Sequence, residues 1–271
     1  MNIVKKIKFG DIEGYQLGYG PIGKPLMSVF LYVIDGIVID SGQSHMRRYI
    51  VEQLRGKSLE QLLLTHHHED HSGNAAAIGN ALGIPIFGHP LTVKKMRKRF
   101  RIQPYQHIIW GRSQPASLLP LPTIIQSNRY RFRPIHTPGH SKDHTVFIVE
   151  SEGWLFSGDL YLGDRIKYFR SDENIATQIT SLKTILNYQF DSLFCAHNPA
   201  QTGAREHLKR KLDYLENICG TVRELGEKGL SENEIVQKMD KGNDRWVKCI
   251  TLGNASFANM IRSAIQSATV T

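Results

Sequence analysis

The sequence predicts an α/β fold followed by a helical C-terminal appendage. Three observations carry this. Short apolar runs of four to eight residues alternate with amphipathic ones over the first two hundred residues. Two of these runs meet at tight-turn dipeptides, Asp35-Gly36 and Glu152-Gly153. From about residue 203 the texture becomes charged and helical in period. At 271 residues the chain has room for one large domain plus an addition, which we place at 1–202 and 203–271.

The elements follow in order. "SVFLYVIDGIVIDSG" (28–42) reads as two strands joined at Asp35-Gly36. "HMRRYIVEQLRG" (45–56) has helical spacing and stops at Gly56. "EQLLLT" (60–65) is a short apolar strand, "NAAAIGNALG" (74–83) a small-residue helix and "IPIFGH" (84–89) another strand. Strand, helix, strand at this spacing indicates βαβ organisation. Residues 102–133, with Pro104, Pro115, Pro120 and Pro122, read as a long connection or flap. "TVFIVES" (145–151) and "GWLFSGD" (153–159) form a second strand pair, and "FDSLFCAH" (190–197) a further strand. Ser231 with Glu234 three residues on is a capping-box pattern, and "NASFANMIRSAI" (254–265) reads as a final helix.

Composition narrows the class. Charged residues make up 22% and apolar residues 41%, which argues for a packed core. No run approaches the 18 apolar residues of a membrane span, and "MNIVKKIKFGDIEG" lacks a signal peptide's apolar core, so the cytoplasm is the expected location. Cys195, Cys219 and Cys249 are odd in number and far apart, as expected of reduced thiols. The net charge of +9 is local: residues 71–142 hold 11 Lys or Arg and no acid, densest in "KKMRKRFR" (94–101). That stretch is either a solvated helix face or a positive rim drawing in anionic substrates or nucleic acid.

"THHHEDHSGN" (65–74) follows the 60–65 strand. His66 and His68 lie two apart, so in extended chain both face one side, while His67 faces the other. Asp70 and His71 come as the chain turns towards the next helix. Imidazole with carboxylate suits zinc or another borderline divalent ion. His140 in "HTPGHSKDH", Asp159 in "LFSGDLYLG" and His197 in "LFCAHNPA" are further metal-type residues near strand ends, where open α/β sheets gather their sites.

This set, His66-x-His68-x-Asp70-His71, then His140, Asp159 and His197, resembles the metallo-β-lactamase-fold hydrolases, and within them the glyoxalase-II-like and lactamase-β-2-like branch. The likeness covers roughly residues 20–200 and includes "IDSG" (39–42) and "HTPGHS" (136–141). It implies an αββα sandwich with two divalent metal ions in an edge groove, zinc first, manganese or iron as alternatives. His66, His68 and His140 would bind one ion, and Asp70, His71 and His197 the other. Asp159 would bridge, and Asp40 would orient the histidine loop. The ions would hold a bridging hydroxide, with Asp70 orienting it and passing its proton to the leaving group.

Two departures stand out. Ala196 replaces the usual glycine before the last histidine. "LYLGDRIKYFRSDE" stands where glyoxalase II has a glycine- and cysteine-containing stretch, which argues against a glutathione thioester. His144 and Tyr161 are read chiefly as structural, with a groove contact as the alternative; His89, His107 and His136 are read as structural. The leading expectation is a hydrolase of a small, anionic ester, thioester or lactone. A phosphodiesterase or endoribonuclease acting on RNA is the alternative, and a redox or metal-sensing protein a third.

Overall fold

The computed structural model describes residues 2–268. One sheet runs in chain order through β1 (Ile3–Phe9), β2 (Ile12–Gly18), β3 (Val29–Ile34), β4 (Ile37–Ile39), β5 (Gln61–Leu63), β6 (Ile86–Gly88) and β7 (Leu119–Pro120). Its first four strands are antiparallel and β4 to β7 parallel. The second sheet contains β8 (Ile125–Gln126), β9 (Arg131–His136), β10 (Thr145–Val149), β11 (Trp154–Gly158) and β13 (Ser192–Cys195), ordered β13-β11-β10-β9-β8. A small third sheet pairs β12 (Phe169–Arg170) with β14 (Ala255–Ser256).

Strand β3 shows why the sheets stack. All six of its residues are buried, because a strand's alternating side chains serve two layers at once. Phe30, Tyr32 and Ile34 join Ile39, Leu63, Phe147, Phe156 and Phe194 between the sheets. Val29, Leu31 and Val33 face outward, onto Ile50 and Leu54 of α1 (Arg47–Leu54), Ile78 of α3 (Ala75–Leu82) and Val93 and Met96 of α4 (Pro90–Met96). On the far side, Val146, Ile148, Leu155 and Leu193 pack on α6 (Ile175–Ile185), α7 (Ala204–Glu227), α8 (Glu232–Met239) and α10 (Phe257–Ala268). The order is helix, sheet, sheet, helix: the αββα sandwich that the resemblance implies, with its C-terminal helices.

The Asp35-Gly36 turn is tight, pairing Ile34 with Ile37, and both turn residues take positive φ as a two-residue hairpin requires. The Ser231–Glu234 capping box opens α8. Residues 102–133 are more regular than a flap. They form α5 (Pro104–Ile109), opened by a Gln103–Gln106 capping box, and the edge strands β7 and β8. Between elements lie α2 (Glu69–Ser72) and α9 (Arg245–Ile250). Among the described residues no helix is long and apolar enough to cross a membrane.

Candidate metal centre

The histidine segment leaves β5 at one edge of the sandwich. Asp159 follows β11 and His197 follows β13 at the same edge, and His140 arrives on the loop between β9 and β10. All seven residues singled out in the sequence meet here. His66 Nε2, His68 Nδ1 and His140 Nε2 converge, with 2.9 and 3.0 Å separating His68 Nδ1 from the other two. Asp70, His71 and His197 form a second set: Asp70 Oδ2 lies 3.7 Å from His71 Nε2 and 3.5 Å from His197 Nε2. Asp159 stands between. Its Oδ2 is 3.2 Å from His140 Nε2, and its Oδ1 is 3.3 Å from His71 Nε2 and 3.5 Å from His197 Nε2.

The surroundings set which ring nitrogens are bare. The Thr65 hydroxyl donates to Asp40 (2.8 Å to Oδ2), so its oxygen accepts from His66 Nδ1 at 3.0 Å. His71 Nδ1 donates to Asp40 Oδ2 (2.8 Å) and His197 Nδ1 to the Ser28 carbonyl (2.8 Å). His140 Nδ1 faces Glu173 Oε2 at 3.4 Å. These four imidazoles thus keep a proton outward and aim a lone pair inward, the arrangement found around ligating histidines.

These donors fit divalent cations. His71 Nε2 and Asp159 Oδ1, both aimed into the centre, are buried without a hydrogen-bond partner, a cost native proteins rarely carry without a compensating ligand. Two bare nitrogens face His68 Nδ1, and one proton there could serve only one of them. Nitrogen and carboxylate donors are the chemistry of zinc and its neighbours.

Electrostatics divide the site. Burial holds His66 and His68 well below the usual imidazole range, with neighbouring cationic groups adding to it. Burial also opposes charge on His71, His140 and His197, but carboxylates outweigh it. Asp159, Asp70 and Asp40 raise His71; Glu173 and Asp159 raise His140; Asp159 and Asp70 raise His197. Burial penalises the Asp159 carboxylate in turn, yet His71, His197 and His140 hold it well below its usual range. A cation entering here competes with protons on three imidazoles.

Several supporting residues escaped the sequence reading. Asp143 accepts from the His67 backbone N–H (3.0 Å), His67 Nδ1 (2.9 Å), Thr92 Oγ1 (2.7 Å) and Ser141 Oγ (2.8 Å). It locks the histidine segment to the His140 loop and explains why His67 points away from the centre. Glu173 reaches His140 from the turn before α6. The only hint of Asp143 in the chain was that it ends a 72-residue run without an acid; Glu173 carried no local signal. His144 is a brace: its Nδ1 meets Thr137 Oγ1 (2.8 Å), its Nε2 accepts the Asp159 N–H (3.0 Å), and burial pushes its pKa to about 3, which keeps it neutral. Tyr161 is buried with its hydroxyl donating to Asp164 Oδ1 (2.6 Å). Cys195 is buried, with its thiol pushed up to about 11 by burial, and its Sγ accepts the His197 and Asn198 N–H groups at 3.3 Å. His136 stacks on His89, while His107 lends its carbonyl to His45.

The sequence pattern of the metallo-beta-lactamase superfamily matches residues 26–216, a span that includes the whole centre. The chain belongs to the metallo-beta-lactamase superfamily. Among relatives, the beta-lactamase-like protein 2 homolog of Drosophila melanogaster is 30% identical over 202 residues, 67% of this chain and 62% of the fly protein. The Caenorhabditis elegans protein of the same name is 25% identical, covering 87% of this chain and 77% of its own length. An atrochrysone carboxyl ACP thioesterase of Aspergillus fumigatus is 29% identical over 213 residues, 75% of this chain and 41% of the fungal protein. The chain therefore spans less than two thirds of the fly and fungal proteins. A beta-lactamase domain protein from Burkholderia ambifaria has the same superfamily fold, with a TM-score of 0.69 at 19% identity, over 97% of this chain and 89% of that structure.

Proposed function

We propose that this metallo-beta-lactamase superfamily member is a hydrolase with two divalent cations, zinc first among them, that cleaves a small ester, thioester or lactone. The observation that carries the reading is Asp159, whose two oxygens face two separate imidazole sets at 3.2 to 3.5 Å. The thioesterase name of the fungal relative supports the thioester among these substrates.

Bound at the two sets, divalent cations lower the pKa of water from ~15.7 to about 7 and polarise the group under attack. His66, His68 and His140 would hold the first, and Asp70, His71 and His197 the second, with Asp159 shared. Asp40 and Thr65 keep His71 and His66 in the tautomers that aim Nε2 inward. Asp70 turns Oδ2 towards the imidazoles, leaving Oδ1 to take a proton from the attacking water and return it to the leaving group.

Asp159→Ala should lower the metal content from two per chain and abolish turnover across a panel of thioesters, lactones and phosphodiesters. Full activity with two metals bound would refute the shared carboxylate.

One observation favours a second reading, cleavage of RNA. The basic residues at 94–101 are exposed, and the run ends against the histidine segment, where the Phe100 ring meets the outward-facing His67 ring at 5.5 Å. Binding to single-stranded RNA that falls steeply with added salt would promote this reading; no binding at low salt would remove it.

A further inference from the structure

Helices α1 and α3 lie on the outer face of the first sheet, where Ile50 and Leu54 of one and Ile78 of the other enter the same core. Between the two helices is a cleft of about 460 Å³. Arg47, Arg48 and Arg55 of α1 line one wall, with Val51 and Glu52 between them; Ala77 and Ala81 of α3 line the other. The α1 residues recur at helical spacing along one flank, and the two alanines lie four apart on theirs. One wall is long and cationic, the other short and apolar.

Nothing in the chain answers this charge. Among the described residues none of the three guanidiniums has an ion pair or a hydrogen-bond partner, although Glu52 stands four residues from Arg48 and three from Arg55. Arg47 Nε is buried with no partner, a cost that a charged donor rarely carries without a compensating ligand. Arg47 and Arg48 also open α1, whose first turn holds no acid, and there the positive end of the helix dipole opposes cations. Unpaired cations placed against local preference mark a functional surface.

The spacing selects the ligand. Seven residues separate Arg48 from Arg55, about 10 Å along the helix axis, so an anion that meets both carries its charge along a chain rather than at one point. Guanidinium forks match phosphate oxygens. Glu52 repels a phosphate but accepts from hydroxyl groups, and Val51 with the two alanines supplies an apolar floor. A volume of 460 Å³ is that of a small-molecule site. We propose that the α1–α3 cleft binds a short polyphosphate chain, free or carried by a nucleotide, apart from the metal centre and independently of the hydrolase reading.

Calorimetry on the metal-loaded protein, with magnesium in excess so that the probe does not strip the centre, should show binding of ATP and of inorganic triphosphate, and none of adenosine. Tighter binding of ATP assigns the chain to a nucleotide; equal binding assigns it to free polyphosphate. Arg48→Gln with Arg55→Gln should weaken both probes about 10- to 100-fold and leave metal content unchanged. Ala77→Leu with Ala81→Leu, which keeps every charge and suits a helix, should weaken them as much by filling the cleft. Hydrogen exchange on addition of triphosphate should slow in α1 and α3 and not in the histidine segment.

Absence of binding by either polyphosphate overturns the proposal. So does affinity that both double variants leave intact, or protection confined to the histidine segment, since the phosphates would then sit at the metals. Weakening by the arginine pair but not by the alanine pair also overturns it, by reducing the cations to a diffuse surface attraction. Binding of single-stranded RNA without binding of triphosphate overturns it in favour of a longer polyanion.

Discussion

Lys211 carries an ammonium group into the second helical layer, where the residue is 1% exposed. Its Nζ donates to the Leu160 carbonyl at 2.6 Å, the residue after Asp159. Burial pushes its pKa down to about 8, against the pull of Glu173 and Asp159. A folded pKa below the unfolded ~10.4 means that the unfolded chain binds the proton more tightly. The penalty is full below pH ~8 and fades as pH rises to about 10.5, where it is roughly 3 kcal/mol smaller. Denaturation of the metal-free protein should show this gain between pH 8 and 10.5, and Lys211→Met should remove it. A parallel pH dependence in both proteins would mean that water reaches the ammonium group.

The same scale shows what residue types reveal on their own. The seven donors were legible because imidazole and carboxylate clusters near strand ends are rarely idle, and the structure brings them together. Asp143, Glu173, Thr65 and Lys211 were not, because a single polar residue announces neither its burial nor its partner.

Among elements, legibility followed burial. Strand β3 and its turn were visible because both faces are apolar and Asp35-Gly36 suits positive φ. Strand β1 escaped, since "IVKKIKF" lies at the sheet edge with its residues exposed or half-buried; there the apolar alternation that marks a strand is weak. Helix α5 escaped because Pro104, read as a breaker, sits at the first helical turn, where its missing N–H costs nothing. The Pro138-Gly139 turn couples an element to the centre. Gly139 has φ +128°, and a Cβ there would stand 2.5 Å from the Gln178 backbone nitrogen on α6. Backbone strain and overpacking each cost about 1–3 kcal/mol. Gly139→Ala should therefore destabilise the fold by roughly 2–5 kcal/mol and weaken metal retention by moving His140. Stability and metal affinity equal to those of the unaltered protein would show that α6 yields instead.

At the scale of the whole molecule, charge is distributed by segment. Helix α4 buries Thr92, Val93 and Met96 and leaves Lys94 and Lys95 in solvent. Thr92 meets Asp143, which holds His67, so the helix bearing these cations is fastened to the histidine segment. Lys95 Nζ lies 5.3 Å from the Phe100 ring centre, and its charge reaches Glu69. Such a rim acts at a distance: it raises the local concentration of anions without touching the ligands. Changing Lys94, Lys95, Arg97 and Arg99 together to Ala should raise KM for anionic substrates about 3- to 10-fold at low salt, with kcat and metal content unchanged. The two proteins should converge towards 0.5 M salt, where the Debye length is well under ~10 Å. For single-stranded RNA the loss of four contacts should reduce the salt slope of binding by about 3. An unchanged KM for every anion would make the run a solvated helix face. A flattened RNA slope with unchanged small-anion kinetics would assign the rim to a polyanion, because only an extended chain of phosphates reaches all four cations at once.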